Sequence, residues 1–298
     1  MSSSESNSIT AQTLPAAVGA VPCRVSRSRR MENLWLKSLL LIGFALSIAP
    51  FLIMLNLSLK SLPQYEYERW IVRAPFHWTN YVESWRMIRL YIVNSLIISG
   101  GSALGVVVLS TLGGFAFAKG KFPFKEPLFI LILSGMMIPG ILYLVPKFIL
   151  FKDLHLINTR WSLLISYWTE GQIFGIFLCR SYFESLPGGL DEAAEMDGAG
   201  IWSRFRHIAI PLSKPIICTL AVMNILFTWN DIIWPWIAIS EDKLRTISIG
   251  MSIFQRAFAE NYGPMFAGFA VVSIPLIILF LFTTRAFISG LTSGAFKA

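Results

Sequence analysis

Four carboxylates crowd one short stretch, Leu190 to Gly200, which reads LDEAAEMDGAG: Asp191, Glu192, Glu195 and Asp197. Paired carboxylates can act as general acid and base, but sugar hydrolysis needs two of them facing one substrate at a controlled separation. On a helix Glu192 and Glu195, three apart, stand on neighbouring turns of one face, and Ala193 and Ala194 add almost no bulk beside them. Such a surface suits close docking of another protein, with Glu192 meeting a basic group at its edge. It equally suits a solvated loop whose acids balance Arg204 and Arg206. The residues alone leave both open. Pro187, Gly188 and Gly189 release the preceding segment, and Asp191 and Glu192 sit near a helix N-terminus, where the dipole favours acids. Asp197 and Gly198 stop that helix, and Gly200 allows a turn before a second amphipathic run, IWSRFRHIAI. Two short helices joined at an angle are predicted.

Other chemistry is sparse. His77, His155 and His207 are far apart and show no metal-ligand spacing, and no G-x-x-x-x-G-K-[ST] loop offers to cradle phosphates. Three cysteines, Cys23, Cys179 and Cys218, form neither a disulfide framework nor a redox motif and read as small apolar residues. Glu170 lies inside the apolar run WSLLISYWTEGQIFGIFLCR, flanked by Gly171 and Gln172. A carboxylate there faces protein or water, so it either lines a path or makes a packed hydrogen bond. Asn224, Asn230 and Asp231 fall in AVMNILFTWNDIIWPW; the two asparagines are six apart and share no stripe. Asp231, close to Pro235 and several tryptophans, reads as part of a gate or as a structural anchor. Asn94, Ser95 and Asn261 read as caps or interhelix glue.

The elements that hold these residues are apolar. The chain is 55% hydrophobic and 14% charged, with mean hydropathy +0.62, far from the roughly 25% charged residues of a soluble domain. Six segments approach the roughly 20 residues needed to cross hydrocarbon: 36–58, 91–115, 127–150, 161–179, 213–236 and 263–284. Glycines and serines in the second favour close helix packing, and Pro139 and Pro146 should break the third. An all-α integral membrane protein with six transmembrane helices is predicted. Residues 61–90, rich in Trp and Tyr, read as an external loop with a short helix at the lipid surface. Placing both termini inside puts 14 Lys and Arg inside and 11 outside, and the arginines at 24, 27, 29 and 30 precede the first span densely. The polar tail 1–34 is expected to be cytoplasmic and disordered. The net charge of +8 is scattered, without the basic and aromatic interleaving of a strand-binding platform; lipid is the expected contact, and nucleic acid is not.

Glu192, Ala193, Ala194, Asp197, Gly198, Ile208 and Pro211 stand in the spacing of the cytoplasmic EAA loop of permease subunits in bacterial ATP-binding-cassette (ABC) importers, and the chain resembles that family. The resemblance extends over about residues 35–298, and it points to the carbohydrate-importer branch. The segments that carry it are NYVESW with NSLIIS, GGFAFAKGKFPFKEPLF, MMIPGILYLVP, LHLINTRWSL, FGIFLCRSYFESLPGGLDEAAEMDGAG, WNDIIWPWIAI and FISGLTSGAFKA. Departures are Ile210 where Leu is commonest, Phe115 for a frequent Tyr, and Gly188 and Gly189 where Pro-x-Glu-Leu is usual.

The resemblance implies the type I importer permease fold, a six-span domain over 35–298 containing a coupling loop at 187–211, in the bacterial inner membrane. It implies a heterodimer with a second homologous permease, two copies of a cytoplasmic ATPase and an external solute-binding protein. The loop helix would fit a cleft on the ATPase, with Glu192, Ala193, Ala194, Glu195, Asp197, Gly198 and Pro211 as the coupling set. ATP and Mg²⁺ would be bound by the ATPase, leaving this chain with no cofactor, no metal and no catalysis of its own; the crowded carboxylates would then lie on the ATP side, away from any sugar. Glu170, Asn224, Asn230 and Asp231 are the candidates for a translocation path or gate. The expected cargo is a mono-, di- or small oligosaccharide, with a polyol or glycerol phosphate ester as alternative. From a different class, Glu170 and the broken third span also fit an ion-coupled secondary transporter.

Overall fold

The computed structural model describes residues 27–295, with side chains described over 35–284. The tail 1–26, with Cys23 and Arg24, lies outside the described residues. All regular structure among the described residues is helical: α1 (Arg27–Ser58), α2 (Leu62–Tyr67), α3 (Thr79–Lys119), α4 (Lys125–Ser134), α5 (Leu144–Asp153), α6 (Arg160–Ser185), α7 (Gly188–Met196), α8 (Ile201–Arg204), α9 (Ile210–Leu212), α10 (Lys214–Asn230), α11 (Ile233–Ala238), α12 (Ile247–Ala257) and α13 (Tyr262–Ala295). The chain divides into two units, Met1–Phe51 and Leu52–Ala298. In the first, α1 starts at Arg27 rather than at the apolar boundary near residue 35. Once a helix is nucleated each further residue adds a hydrogen bond, and Arg, Met and Glu propagate it well. Leu40, Leu41, Phe44 and Leu46 are exposed along it.

Among the described residues three helical stretches are long and apolar enough to cross a membrane: Trp35–Ser58, Thr79–Lys119 and Tyr262–Thr284. Two bent pairs raise the number to five, 125–137 with 140–153 at 91° and 201–212 with 214–230 at 74°. The chain is therefore a multi-pass membrane protein, and its large exposed apolar surface, including Leu131, Ile141, Leu142 and Phe282, is what lipid or a membrane partner covers. The expected break of the third span falls at Ile138–Pro139, between two short 3₁₀ turns. The fourth expected span lies within the 26 residues of α6, whose apolar run Glu170 and Arg180 interrupt.

Two expected boundaries move. The fifth segment does not continue to 236: α10 ends at Asn230 and a separate α11 follows. Asp231 leaves the helix at ψ 124°, and its Oδ1 accepts the backbone N–H of Ile233 at 3.0 Å, a local bond that competes with helix continuation. The stretch 79–90 is not loop but the first turns of the 41-residue α3. One face of those turns is buried: Asn80 Nδ2 donates to the carbonyls of Ser58 and Lys60, and Ser84 Oγ donates to Pro264 O at 2.7 Å.

α3 is the hub of the second unit, packing against α6, α10, α12 and α13. Small residues set the spacing. A Cβ on Gly114 would stand 2.4 Å from Cys179 Cβ and 2.9 Å from the Arg180 backbone nitrogen, so α3 and α6 touch backbone to backbone. Around this contact Val106, Phe115, Cys179, Phe183, Phe205, Ala209 and Leu220 form one apolar cluster. Asn94 and Ser95 serve as interhelix glue: Asn94 Nδ2 donates to Lys243 O at 2.7 Å, and Ser95 Oγ accepts the Ile247 N–H at 2.8 Å.

Candidate functional site

Two polar assemblies interrupt this apolar fold, one between α6 and α10 and one at the seam of α5 and α6. The first is built on α7. Pro187 precedes it, and it closes when the N–H of Gly198 donates to Glu195 O at 3.0 Å and that of Ala199 to Ala194 O at 2.9 Å. This pair of bonds satisfies the last carbonyls of a helix that ends on a left-handed residue. Gly198 is that residue, at φ +80°, a conformation glycine adopts without steric cost. The chain then enters α8, five π-helical residues Phe205–Ala209, and α9. Pro211 explains the widened turn, since its ring obstructs the carbonyl four residues back. Phe205 and Ala209 are buried in the cluster that holds Phe115 and Phe183, so this second helical run is fixed to the bundle.

Arg204, at the end of α8, sorts the acids of α7. Its Nη1 lies 2.9 Å from Glu195 Oε2 and 3.6 Å from Asp191 Oδ1. Lys119, the last residue of α3, places its Nζ 3.6 Å from Asp191 Oδ2. Arg204 is 14% exposed, so these pairs are partly shielded from solvent. Glu192, by contrast, is exposed and has no ion pair among the described residues; Ala193, Met196 and Asp197 are exposed beside it, and Ala194 is half-buried. Sequence spacing puts Glu192 and Glu195 on one face, but the tertiary fold divides them. Arg204 is the balancing cation expected of the loop; Arg206 is exposed and has no acidic partner among the described residues.

The second assembly centres on Glu170 of α6. Lys147 of α5 donates to its Oε1 at 2.7 Å, and Ser166 Oγ donates to the same oxygen at 3.1 Å. Lys147 also donates to Ser166 Oγ at 2.9 Å and lies 3.9 Å from the centre of the Trp234 ring, close enough for a cation–π contact. The one sequence signal for Lys147 is a lone lysine in the apolar run LVPKFIL, near the end of the third segment. The 91° break sets α5 against α6 and turns Lys147 toward Glu170.

Glu170 lines two cavities. One, of about 260 Å³, also has Gly171, Phe174, Leu220, Met223, Asn224 and Phe227 on its wall. The other, of about 580 Å³, has Tyr143, Lys147, Phe151 and Thr169 among its lining residues. The structure thus brings Glu170 and Asn224 together, and Asn224 Oδ1 accepts a bond from Ser102 Oγ of α3 at 2.8 Å. Asn230 and Asp231 stand apart. Asn230 Nδ2 donates to Leu226 O at 2.7 Å in its own helix. Asp231 Oδ2 accepts the Tyr167 hydroxyl at 2.9 Å while Oδ1 caps α11. Among the described residues no group of three or more His, Cys, Asp or Glu could hold a metal ion.

Residues 107–292 match the family model of the binding-protein-dependent transport system inner membrane component. The chain is 32% identical over 249 residues to a probable ABC transporter permease protein, YurM, of Bacillus subtilis, covering 83% of each chain. It is 31% identical over 251 residues to the melibiose/raffinose/stachyose import permease protein MelC of the same species, covering 83% of this chain and 91% of that one. With the maltose/maltodextrin transport system permease protein MalG of Escherichia coli the identity is 30% over 216 residues, 70% of this chain and 73% of that one. A solved chain of a bacterial ABC transporter involved in the import of the acidic polysaccharide alginate shares the fold, with a TM-score of 0.76 at 21% identity, covering 88% of this chain and 98% of that one.

Proposed function

The chain belongs to the family of binding-protein-dependent transport system inner membrane components, as a non-catalytic permease subunit of an ABC importer, and on that premise we propose how it is coupled and what it carries. α7 is the coupling helix. It docks in a cleft of a cytoplasmic ATPase, Glu192 pairs with a basic group there, and Ala193 and Ala194 admit the ATPase surface closely. Glu195, Asp197, Gly198 and Pro211 shape the handle, and ATP-driven closure of two ATPase copies pulls on it to convert the bundle from inward-facing to outward-facing. ATP and Mg²⁺ belong to those ATPase subunits. The observation that carries this reading is the sorting of the acids: Arg204 and Lys119 tie Asp191 and Glu195 to the bundle, which leaves Glu192 as the glutamate of α7 without an ion pair among the described residues, on an exposed, small-residue face.

In this reading the domain is residues 35–298 with six spans, α6 and both bent pairs included, and the tail 1–34 and both termini are cytoplasmic in the bacterial inner membrane. A second homologous permease completes a heterodimer, and an external solute-binding protein delivers the cargo. Glu170 and Asn224, which share a cavity wall, line the path; Asn230 and Asp231 lie at its outer gate. The cargo is a mono-, di- or small oligosaccharide, in keeping with the melibiose, raffinose, stachyose and maltodextrin permeases it resembles, with a polyol or glycerol phosphate ester as alternative. Glu192→Lys in the complete transporter tests the coupling role. The variant is expected to reach the membrane, lose the ATPase in pull-down and lose sugar-stimulated ATP hydrolysis; unchanged retention of the ATPase would sink the assignment.

A further inference from the structure

Among the described residues the charged groups on the walls of the two cavities are Glu170 and Lys147. They sum to zero. A primary ammonium has three N–H donors, and Lys147 directs itself at three partners: Glu170 Oε1 at 2.7 Å, Ser166 Oγ at 2.9 Å and the Trp234 ring at 3.9 Å. Its donors are spent inside the protein. Lys147 and Ser166 both donate to Glu170 Oε1, and the Tyr143 hydroxyl bonds to the same carboxylate; a carboxylate offers about four acceptor sites on its two oxygens, so capacity is left for a hydroxyl donor. Around this pair the wall is apolar and aromatic, with Tyr143, Phe151, Phe174 and Phe227, and Thr169 adds one hydroxyl.

We propose that Lys147 is a specificity-determining residue that holds Glu170 as a compensated acceptor, making these cavities a subsite for uncharged polyhydroxylated saccharides and excluding acidic ones. A neutral sugar lays its C–H face on the aromatic wall and donates hydroxyls to Glu170, while the ion pair stays intact. A uronate meets Glu170 as a like charge and finds no free donor on Lys147, so it enters only by breaking the pair at a desolvation cost. This subsite rests on the reading of Glu170 and Asn224 as path-lining. The selectivity follows from two residues 23 positions apart that only the broken span brings into contact.

The test compares galactobiose with digalacturonate, which differ by a carboxylate on each ring, binding to the purified complete transporter by ligand-observed NMR titration. Wild type is expected to prefer galactobiose by roughly tenfold or more, the scale of one charge-assisted hydrogen bond. Glu170→Gln leaves Lys147 uncompensated and should shift the ratio toward digalacturonate. Lys147→Gln should shift it further toward galactobiose, and the double variant should return near wild type. A bridge that only braces α5 against α6 would leave the ratio fixed in all three variants, and that result overturns the proposal, as does a wild-type preference for digalacturonate or binding of neither probe. ATP-driven uptake of galactobiose into vesicles tests the path separately: neutral-selective binding without uptake supports the subsite and sinks the path reading.

Discussion

Arg204 Nη1 lies 2.9 Å from Glu195 Oε2, and that contact decides which of two adjacent-turn glutamates remains available. Through Glu195 and, at 3.6 Å, Asp191, Arg204 ties α7 to α8 with Glu192 on the exposed side. In the coupling role proposed for α7, a helix that transmits force is fixed at one face and free at the other. The consequence is a division of labour measurable residue by residue.

Arg204→Gln should loosen the handle while the spans remain assembled. Removing one partner of a partly buried pair is costly, but Glu195 is 63% exposed and its share is screened. A net loss of about 1–2 kcal/mol is expected, read as a drop in the purified protein's Tm of about 2–4 °C per kcal/mol. Glu195→Gln should cost less than about 1 kcal/mol. Equal losses for the two would mean that Asp191 contributes nothing.

Gly198 isolates backbone strain from crowding. A Cβ there meets nothing within 4 Å, yet the residue sits at φ +80°. Gly198→Val should therefore destabilise the turn by about 1–3 kcal/mol through conformation alone, and Gly198→Asn, which tolerates the left-handed region, by less. Limited proteolysis between α7 and α8 should rise in the order Gly, Asn, Val; equal cleavage of all three would remove the strain argument.

At Gly114 the reverse holds, because contact rather than conformation forbids a side chain. Gly114→Ala forces α3 away from the α6 backbone at Cys179 and Arg180, with an expected loss of about 1–3 kcal/mol. Gly100→Ala on the same helix, where a Cβ has open space, should be neutral or slightly stabilising. Thermal unfolding of the two variants side by side checks the difference.

Ser102→Ala removes the donor to Asn224 Oδ1 in a buried setting, Ser102 being 0% and Asn224 6% exposed. The unpaired amide oxygen should cost about 1–3 kcal/mol. Ser102→Ala with Asn224→Leu removes both partners and should recover most of that loss; a double variant no more stable than the single one would show that Asn224 is held by something else.

Much of this was legible before any coordinates. Apolar runs and glycine and proline positions are local signals, so the all-helical membrane class, a break in the third span at one of its two prolines and the helix stop at Asp197 and Gly198 follow from neighbouring residues alone; Pro146 sits in the first turn of α5, where it breaks nothing. The EAA spacing marks the loop for the same reason, since the bend and the small face are written within a dozen residues. The fifth segment runs past its true end because hydropathy does not register the bond from the Ile233 N–H to Asp231. The first turns of α3 read as loop because their buried face packs against residues distant in sequence, such as Pro264.

The sequence by itself determined which residues carry charge in an apolar chain: Glu170, Lys147 and the acids of α7. Only the tertiary structure decided their partners. An ion pair is fixed by distances of a few ångströms, and those distances arise where separate helices meet. A 91° bend sets Lys147 against Glu170, and the return of α8 beneath α7 gives Glu195 to Arg204 and leaves Glu192 outside.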